Sequence, residues 1–176
     1  MRRLLFPKVL GFRESCLLSW RMSFEKFETT FSDVEAVGCR DLLWGQKLIL
    51  DLFEYLENGP AEEMKVAGEE VQNVYTIGLT RSSRIWRVTF ERSLAVRIRD
   101  ESIKFFESQN GPKPELPSRF CFTDRSPWLS ELFPNPTDPR LGSVTPIHYV
   151  FDLLDDFVEI IADDNPTIEN IENDMV

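Results

Sequence analysis

Residues 86–98, WRVTFERSLAVRI, alternate apolar and polar side chains, and this stretch decides the predicted fold. The even positions carry six apolar residues, and only Arg92 breaks the series: Trp86, Val88, Phe90, Leu94, Val96 and Ile98. Alternation with a period of two is typical of β-strands that bury one face. In an antiparallel hairpin paired residues share a face, so the loop must have an odd length, such as 91–93. We therefore expect a hairpin whose six apolar side chains share one buried face.

Residues 147–162, IHYVFDLLDDFVEIIA, predict a second hairpin with Asp155-Asp156 as its two-residue turn. In this register Asp152 stands directly across from Glu159, and like charges that oppose each other on a sheet destabilise it. We therefore expect cations close to this pair. One face of the hairpin is predicted to be buried: Ile147, Tyr149, Phe151, Leu153, Val158, Ile160 and Ala162.

Residues 40–57, RDLLWGQKLILDLFEYLE, are predicted to form a long helix. Leu42, Ile49 and Leu52 recur at helical intervals, and other apolar residues widen the same face. Asn58-Gly59-Pro60 follows and is a typical helix stop. This segment is expected to cover the sheet formed by the two hairpins.

Two shorter helices complete the predicted secondary structure. One covers 100–108, and the other begins at Ser126, with Ser126 as the cap and Pro127 at the first helical position. The predicted fold class is α+β: an antiparallel sheet of about four to five strands packed on one long and several short helices.

The distribution of charge divides the chain into three segments. Residues 1–22 carry five basic residues and one acidic residue, a net charge of +4. Residues 23–164 are expected to form a single globular α+β domain, and 165–176 an acidic tail without regular structure. Three interpretations of 1–22 stay open: an extension outside the fold, with translation starting at Met22; a first element of the fold; or a targeting segment.

Composition limits the class of protein. The chain has 176 residues, 42% of them apolar, and 20 basic against 30 acidic residues give a net charge of −10. Such a surface repels phosphate backbones, and no run of about 20 apolar residues is present, so we expect neither a nucleic acid nor a membrane as partner. Three cysteines without a C-x-x-C spacing predict a reducing, cytoplasmic location without disulfides or a zinc site.

The chain carries none of the common catalytic or nucleotide-binding motifs, namely G-x-S-x-G, the Walker loop, G-x-G-x-x-G and H-E-x-x-H. Its single histidine leaves few options for acid–base catalysis, so the sequence favours a non-catalytic protein without cofactor or metal. The first predicted hairpin sets Arg87 across from Arg97, with Arg99 one step further. Together with the second hairpin this gives a candidate ligand-binding face: Arg87, Arg97, Arg99, Asp152, Glu159 and His148. The alternative interpretation of these charges is a salt-bridge network without a ligand.

Two hypotheses for the function follow. The first is an acidic cytosolic domain that binds a basic protein, such as an inhibitor or immunity-type protein, through four carboxylates: Asp155, Asp156, Asp163 and Asp164. The second is a small-molecule-binding domain or small enzyme that uses the arginine and carboxylate face. A concave pocket on that face would favour the second hypothesis, and a flat acidic face the first.

Overall fold

The structure, a computed structural model, describes residues 23–100, 116–135 and 145–174. Strands make up 53% of the described residues and helix about 5%. Two large antiparallel sheets pack face to face and enclose the core. The prediction of an α+β fold with one long helix is therefore wrong, and the fold is mostly β.

The two large sheets are named A and B. Sheet A has five strands in the order β1 (Glu25–Lys26), β10 (Phe120–Thr123), β11 (Ile147–Asp152), β12 (Asp156–Ala162) and β9 (Ser93–Asp100). Sheet B has four strands in the order β13 (Thr167–Ile171), β8 (Ile85–Phe90), β3 (Leu48–Glu54) and β2 (Val37–Trp44). Two small antiparallel pairs are β4 (Leu56–Glu57) with β7 (Ile77–Gly78), and β5 (Glu62–Val66) with β6 (Glu69–Val74). The helix α1 spans Pro127–Leu132.

The core lies between the inner faces of sheets A and B. The ring of Phe90, from β8, has its centroid 5.1 Å from that of Tyr149 and 6.3 Å from that of Phe151, both on β11. Other core side chains come from both sheets: Leu48, Leu50, Leu52, Trp86, Val88, Phe120, Val158, Ile160 and Ala162. Each large side chain buried here contributes roughly 1.5–3 kcal/mol of transfer free energy.

The segment predicted as a helix, 40–57, is instead the hairpin of β2 and β3. Gly45 lies in its turn, where the Gly45 N–H donates to the carbonyl of Lys47 at 3.0 Å. Leu48, Leu50 and Leu52 alternate along β3 and face the core, but Asp51 between them is also buried. A strand buried on both faces gives a nearly continuous apolar run, and periodicity alone does not separate such a run from a buried helix.

Gly38 in β2 gives a local test of this hairpin. A Cβ added there would lie 2.5 Å from Cε2 of Tyr55 and 2.7 Å from Cε1 of Phe53, two rings whose centroids are 4.6 Å apart. We expect Gly38→Ala to lower the free energy of unfolding by about 1–3 kcal/mol, because these packed rings must move. Gly45→Ala is the control, since nothing lies within 4 Å of its added Cβ. Equal urea midpoints for the two variants would contradict this packing.

Both strands predicted in 86–98 are present as β8 and β9, but they do not pair with each other. β8 lies between β13 and β3 in sheet B, and β9 pairs with β12 in sheet A. The chain crosses from one sheet to the other at 91–92, so the predicted hairpin is wrong. Two strands in facing sheets bury the same alternate residues as a hairpin would, so the alternation does not distinguish them. Ile98, at the far end of the series, is 52% exposed.

The second predicted hairpin is confirmed as β11 and β12, with its predicted apolar face turned to the core. Its register differs by two residues, because Asp152 pairs with Phe157, and Glu159 pairs with Val150. Four residues, 153–156, therefore separate the last paired residues of β11 and β12, in place of the predicted two. A two-residue turn needs positive φ angles that favour Asn-Gly or Asp-Gly, and Asp-Asp does not supply the glycine.

Residues 167–173 are part of the fold. Thr167–Ile171 forms β13 at the edge of sheet B, and Nδ2 of Asn173 donates to the carbonyls of Thr80 and Ser83 at 2.8 and 3.1 Å. The expectation that the acidic tail lacks regular structure is wrong for this strand. The predictions for residues 1–22 and for a helix over 100–108 concern residues outside the described ranges, except for Asp100 at the end of β9.

The helix predicted from Ser126 is confirmed as α1. The Ser126 side-chain oxygen accepts from the N–H of Leu129 at 3.1 Å, and Pro127 occupies the first helical turn. Leu129 is the buried residue of this helix. α1 therefore begins where predicted. Its second residue, Trp128, has a fixed orientation because the start of the helix is capped.

Candidate functional site

The outer face of sheet A, which points away from the core, carries the candidate site. Cross-strand pairing sets Glu159 of β12 between Val150 of β11 and Arg97 of β9. In the adjacent row of the same face, Phe157 of β12 pairs with Arg99 of β9. Residues two apart on a strand share a face, so these five side chains are neighbours on one surface.

A cavity of about 250 Å³ lies between this face and α1. The sheet supplies its charged floor, and Pro127 and Trp128 of α1 form part of the opposite wall. Phe24 and Leu116 add apolar surface from outside the strands. The site is therefore a concave pocket with polar groups at its base and apolar or aromatic walls, the usual build of a small-molecule site.

Arg97 and Glu159 form a bidentate ion pair. Nε of Arg97 donates to Oε2 of Glu159 at 2.7 Å, and Nη2 donates to Oε1 at 2.6 Å. Nη2 of Arg99 lies 2.9 Å from the same Oε2. One carboxylate thus holds two guanidinium groups, because the register of β9 on β12 brings all three side chains together.

Glu159 is ionised at neutral pH although its side chain is only 4% exposed. Burial raises the pKa of this carboxyl. Contacts with His148, Arg97 and Arg99 lower the pKa by a larger amount, and the resulting pKa is about 2. The arginines that surround the carboxylate therefore compensate for the water that it has lost. Glu159 acts as a fixed negative charge at the base of the pocket.

His148 is buried at the edge of the charged group. Its Nε2 lies 3.2 Å from Oε1 of Glu159, but this approach does not give a well-formed hydrogen bond, and Nδ1 has no hydrogen-bond partner among the described residues. The imidazole packs edge-on against Trp128 and Phe24, with centroid distances of 5.2 and 5.9 Å. A buried ring nitrogen without a hydrogen-bond partner costs free energy.

Aromatic rings fix both arginines. The guanidinium carbon of Arg97 lies 4.5 Å from the centroid of the Trp128 ring, and that of Arg99 lies 4.8 Å from the centroid of Phe157. Cation–π contacts at these distances are favourable, more so when partly desolvated. The two guanidinium groups are therefore held in fixed positions, unlike flexible arginines on an open surface.

Four of the six predicted ligand-binding residues meet in this pocket: Arg97, Arg99, His148 and Glu159. Arg87 lies on the outer face of sheet B instead, where its Nε and Nη2 each donate to Asp51 at 2.7 Å. Asp152 stands on the same face of sheet A as the pocket but does not line it. The predicted opposition of Asp152 and Glu159 is wrong, because the register differs by two residues.

The four carboxylates predicted to bind a partner lie at the two ends of β12. Asp155 accepts from the hydroxyl of Tyr55, and Asp156 begins the strand in a half-buried position. Asp163 pairs with Arg92 at 2.8 Å, and Asp164 accepts from the N–H of Glu91 at 3.1 Å. Roughly 26 Å of strand separates Asp155 from Asp163 at about 3.3 Å per residue. These residues therefore do not form one continuous acidic patch.

The sequence missed the aromatic part of the site. The sequence favours core positions for Trp128 and Phe24, because aromatic residues are more often part of a core than of a pocket. The available signal was Ser126-Pro127-Trp128, because a capped helix of known start gives Trp128 a fixed orientation. Nothing in the sequence shows which sheet face that helix covers.

Cys121 lies close to the pocket but its thiol is not reactive. Cys121 of β10 pairs with Val150 in the same row as Glu159, and burial raises the pKa of its thiol to about 12. The reactive thiolate form is therefore negligible at neutral pH. In residues 23–100, 116–135 and 145–174, no three His, Cys, Asp or Glu side chains cluster as metal ligands would.

No protein-family model, curated protein or solved structure matches the chain. Over the ranges that the structure covers, no helix is long and apolar enough to cross a membrane. The fold and site together define a mostly β, two-sheet domain with a charged and aromatic pocket on the outer face of one sheet.

Proposed function

We propose that this protein is a small-molecule-binding domain that holds a small organic anion in the pocket on the outer face of sheet A. The observation that carries the proposal is the position of Arg97, whose guanidinium lines the cavity. Glu159 occupies its Nε and Nη2, and no described residue accepts from its Nη1. The rim also carries Glu131, whose side chain is exposed and screened by solvent.

The outer face of sheet B provides an internal comparison. Asp51 is buried there and holds Arg87 at 2.7 Å and Arg40 at 3.2 Å, so one carboxylate again holds two guanidinium groups. That group extends to further acids, with Asp41 at 3.3 Å and Asp174 at 3.2 Å from Arg40. A salt-bridge network without a ligand explains it fully. The group around Glu159 differs in its cavity and in its aromatic walls, which supports a binding role.

Arg97 is well suited to hold the anion. Its Nε and Nη2 are engaged by Glu159, while no described residue accepts from Nη1. The side chain is 39% exposed, so a ligand in the cavity can reach it. A planar guanidinium that is fixed by an aromatic ring and by a carboxylate loses little freedom when it binds a second anion.

Calorimetric titration with small carboxylates tests the proposal. We expect propionate, hexanoate or benzoate to bind, and Arg97→Gln to weaken binding roughly 10–100-fold, the usual worth of a hydrogen bond to a charged group. Arg87→Gln is the matched control, because each substitution leaves the carboxylate with one other arginine. An equal loss in both variants, or no binding of any carboxylate to the wild-type protein, would contradict the proposal.

A second candidate function is the binding of a basic protein, as an inhibitor or immunity-type protein does. The observation that favours it is the hairpin of β5 and β6, whose residues are almost all exposed. Met64 pairs with Val71 there, and Val66 with Glu69, so apolar and acidic side chains share one face. For a native partner, the association rate should fall strongly between about 0.05 and 0.5 M salt, where the screening length shortens to a few ångströms. A rate independent of salt would exclude this mode of binding.

A further inference from the structure

The hairpin of β5 and β6 has two chemically different faces. Its turn is Ala67-Gly68, where both φ angles are positive, as a two-residue hairpin turn requires. Side chains two residues apart on a strand share a face, so the cross-strand pairs assign each side chain to a face. The first, named here the apolar face, carries Glu62, Met64, Val66, Glu69, Val71 and Val74. The opposite face carries Glu63, Lys65 and Glu70.

The apolar face is turned to solvent. Met64, Val66 and Val71 are 49%, 53% and 42% exposed, and neither core cluster of the described residues includes them. A two-stranded hairpin is only marginally stable in water, and packing against a helix or further strands stabilises it. A contiguous apolar patch with a polar rim marks an interaction surface, whereas single exposed apolar residues do not.

We propose that the apolar face binds a basic amphipathic helix of a partner protein. The apolar stripe of that helix covers Met64, Val66 and Val71, and its lysines or arginines reach Glu62 and Glu69. The inference rests on the second candidate function, the binding of a basic protein, because it names the element of the partner that is bound. It does not depend on the pocket on sheet A.

Charge determines the kind of partner. Residues 62–74 carry four glutamates and one lysine, a net charge of −3. Glu62 and Glu69 lie on the apolar face, while Lys65 lies on the opposite face, where it pairs with Glu70 at 3.7 Å. A second copy of the chain would bring the same carboxylates together, and like charges across an interface are costly. A partner with cations beside its apolar residues pairs with these carboxylates instead.

The dimensions of the face match one helix. Neighbouring strands lie about 4.8 Å apart, so a two-stranded hairpin with its flanks is roughly 10 Å wide. An α-helix with its side chains has a diameter of about 10–12 Å. β5 and β6 have five and six residues, which at about 3.3 Å per residue gives roughly 16–20 Å of length. A helix of about 11–14 residues has the same length, so a short helix covers the whole face.

Fluorescence anisotropy with a labelled peptide tests the inference on the full chain. The probe is a peptide of about 14 residues, with leucines at helical spacing and lysines on both sides of the leucine stripe. The control peptide has the same composition in scrambled order, so that it keeps the charge but lacks the stripe. At about 0.15 M salt, where long-range attraction is screened, we expect the control to bind roughly 10-fold more weakly.

Two pairs of substitutions compare the faces of the hairpin. Glu62→Gln with Glu69→Gln neutralises the apolar face, and Glu63→Gln with Glu70→Gln neutralises two carboxylates of the opposite face. Both pairs change the net charge by the same amount, so long-range attraction weakens equally. We expect the first pair to weaken binding of the helical peptide roughly 3–10-fold, as the loss of two exposed ion pairs does, and the second pair less than about 2-fold.

Met64→Thr combined with Val71→Thr tests the apolar contact. Threonine keeps the strand preference of these positions but removes most of their apolar surface, so binding should weaken roughly 10-fold. Leu43→Thr is the control, because Leu43 is equally apolar and exposed but belongs to β2. Urea midpoints check that each variant is folded. If the threonine variant unfolds more easily, the two glutamine pairs carry the test, since they leave the apolar side chains in place.

The outcomes separate the inference from the second candidate function. Equal losses for the two glutamine pairs overturn the inference, because binding then follows the net charge and not the apolar face. Equal binding of the helical and scrambled peptides, or no binding of either, also overturns it. A dimer of the wild-type chain that dissociates in the threonine variant would make a second copy the occupant and overturn it as well. The second candidate function is tested separately, by the salt dependence of association with the native partner.

Discussion

Phe90→Ala is expected to lower the free energy of unfolding by roughly 3–5 kcal/mol, the usual cost of deleting a fully buried aromatic ring. Phe90 is completely buried in sheet B and packs against Tyr149 and Phe151 of sheet A. Loss of the ring leaves a cavity between two sheets whose strands are tied by their own hydrogen bonds. The gap can therefore close only in part, and the cavity adds to the lost transfer free energy.

Ile98→Ala is the control for this prediction, measured by urea unfolding under the same conditions. Ile98 belongs to the same alternating series but is 52% exposed, so its truncation should cost about 1 kcal/mol or less. A hairpin of 86–98 with one common buried face would make both residues equally important. Similar losses for the two variants would therefore contradict the placement of β8 and β9 in different sheets.

The sequence predicted the strands better than their arrangement. Alternation located β8 and β9, and the apolar face of 147–162 is the one that faces the core. Which strands pair depends on contacts between distant parts of the chain. The same alternation of apolar residues is compatible with a hairpin in one sheet and with two strands in facing sheets. The error over 40–57 has a local cause, because the turn at Gly45 was read as part of a helix. β3 is buried on both faces, and apolar residues such as Ile49 and Phe53 also occupy its odd positions, so the period of two is weak.

The candidate site was partly predictable for a similar reason. Arg97 and Arg99 are two residues apart on β9, and Glu159 lies on β12, the strand that pairs with β9. The alternation of side chains places all three on the same face, so the sequence pattern predicts that they are neighbours. A register change of two residues leaves every side chain on the same face of the sheet. Glu159 therefore lies on the predicted face, although its partner on β11 is Val150 and not the predicted Asp152. The predicted pairing of β8 with β9 placed Arg87 beside Arg97, but β8 lies in sheet B. The packing of α1 and Trp128 on this face has no local signal.

Glu159→Gln is expected to lower the free energy of unfolding by about 3 kcal/mol at pH 7, with a difference from wild type that shrinks in acid. The pKa of Glu159 is about 2 in the folded protein against an ordinary value of 4.5. Each unit of displacement corresponds to about 1.4 kcal/mol between the two protonation states. Because the folded pKa is the lower one, the unfolded chain takes up the proton first as the pH falls. The stabilisation is therefore complete above about pH 4.5 and is lost between there and pH 2.

Urea unfolding at pH 7 and pH 3 measures this effect. The difference between wild type and Glu159→Gln should fall from about 3 kcal/mol at pH 7 to about 1 kcal/mol at pH 3, since most of the linked protonation occurs above that pH. Glu62→Gln, on the exposed hairpin of β5 and β6, is the control and should differ little from wild type at either pH. A large difference that stayed constant from pH 7 to pH 3 would contradict a folded pKa of about 2, because the linked protonation would then not take place in this range.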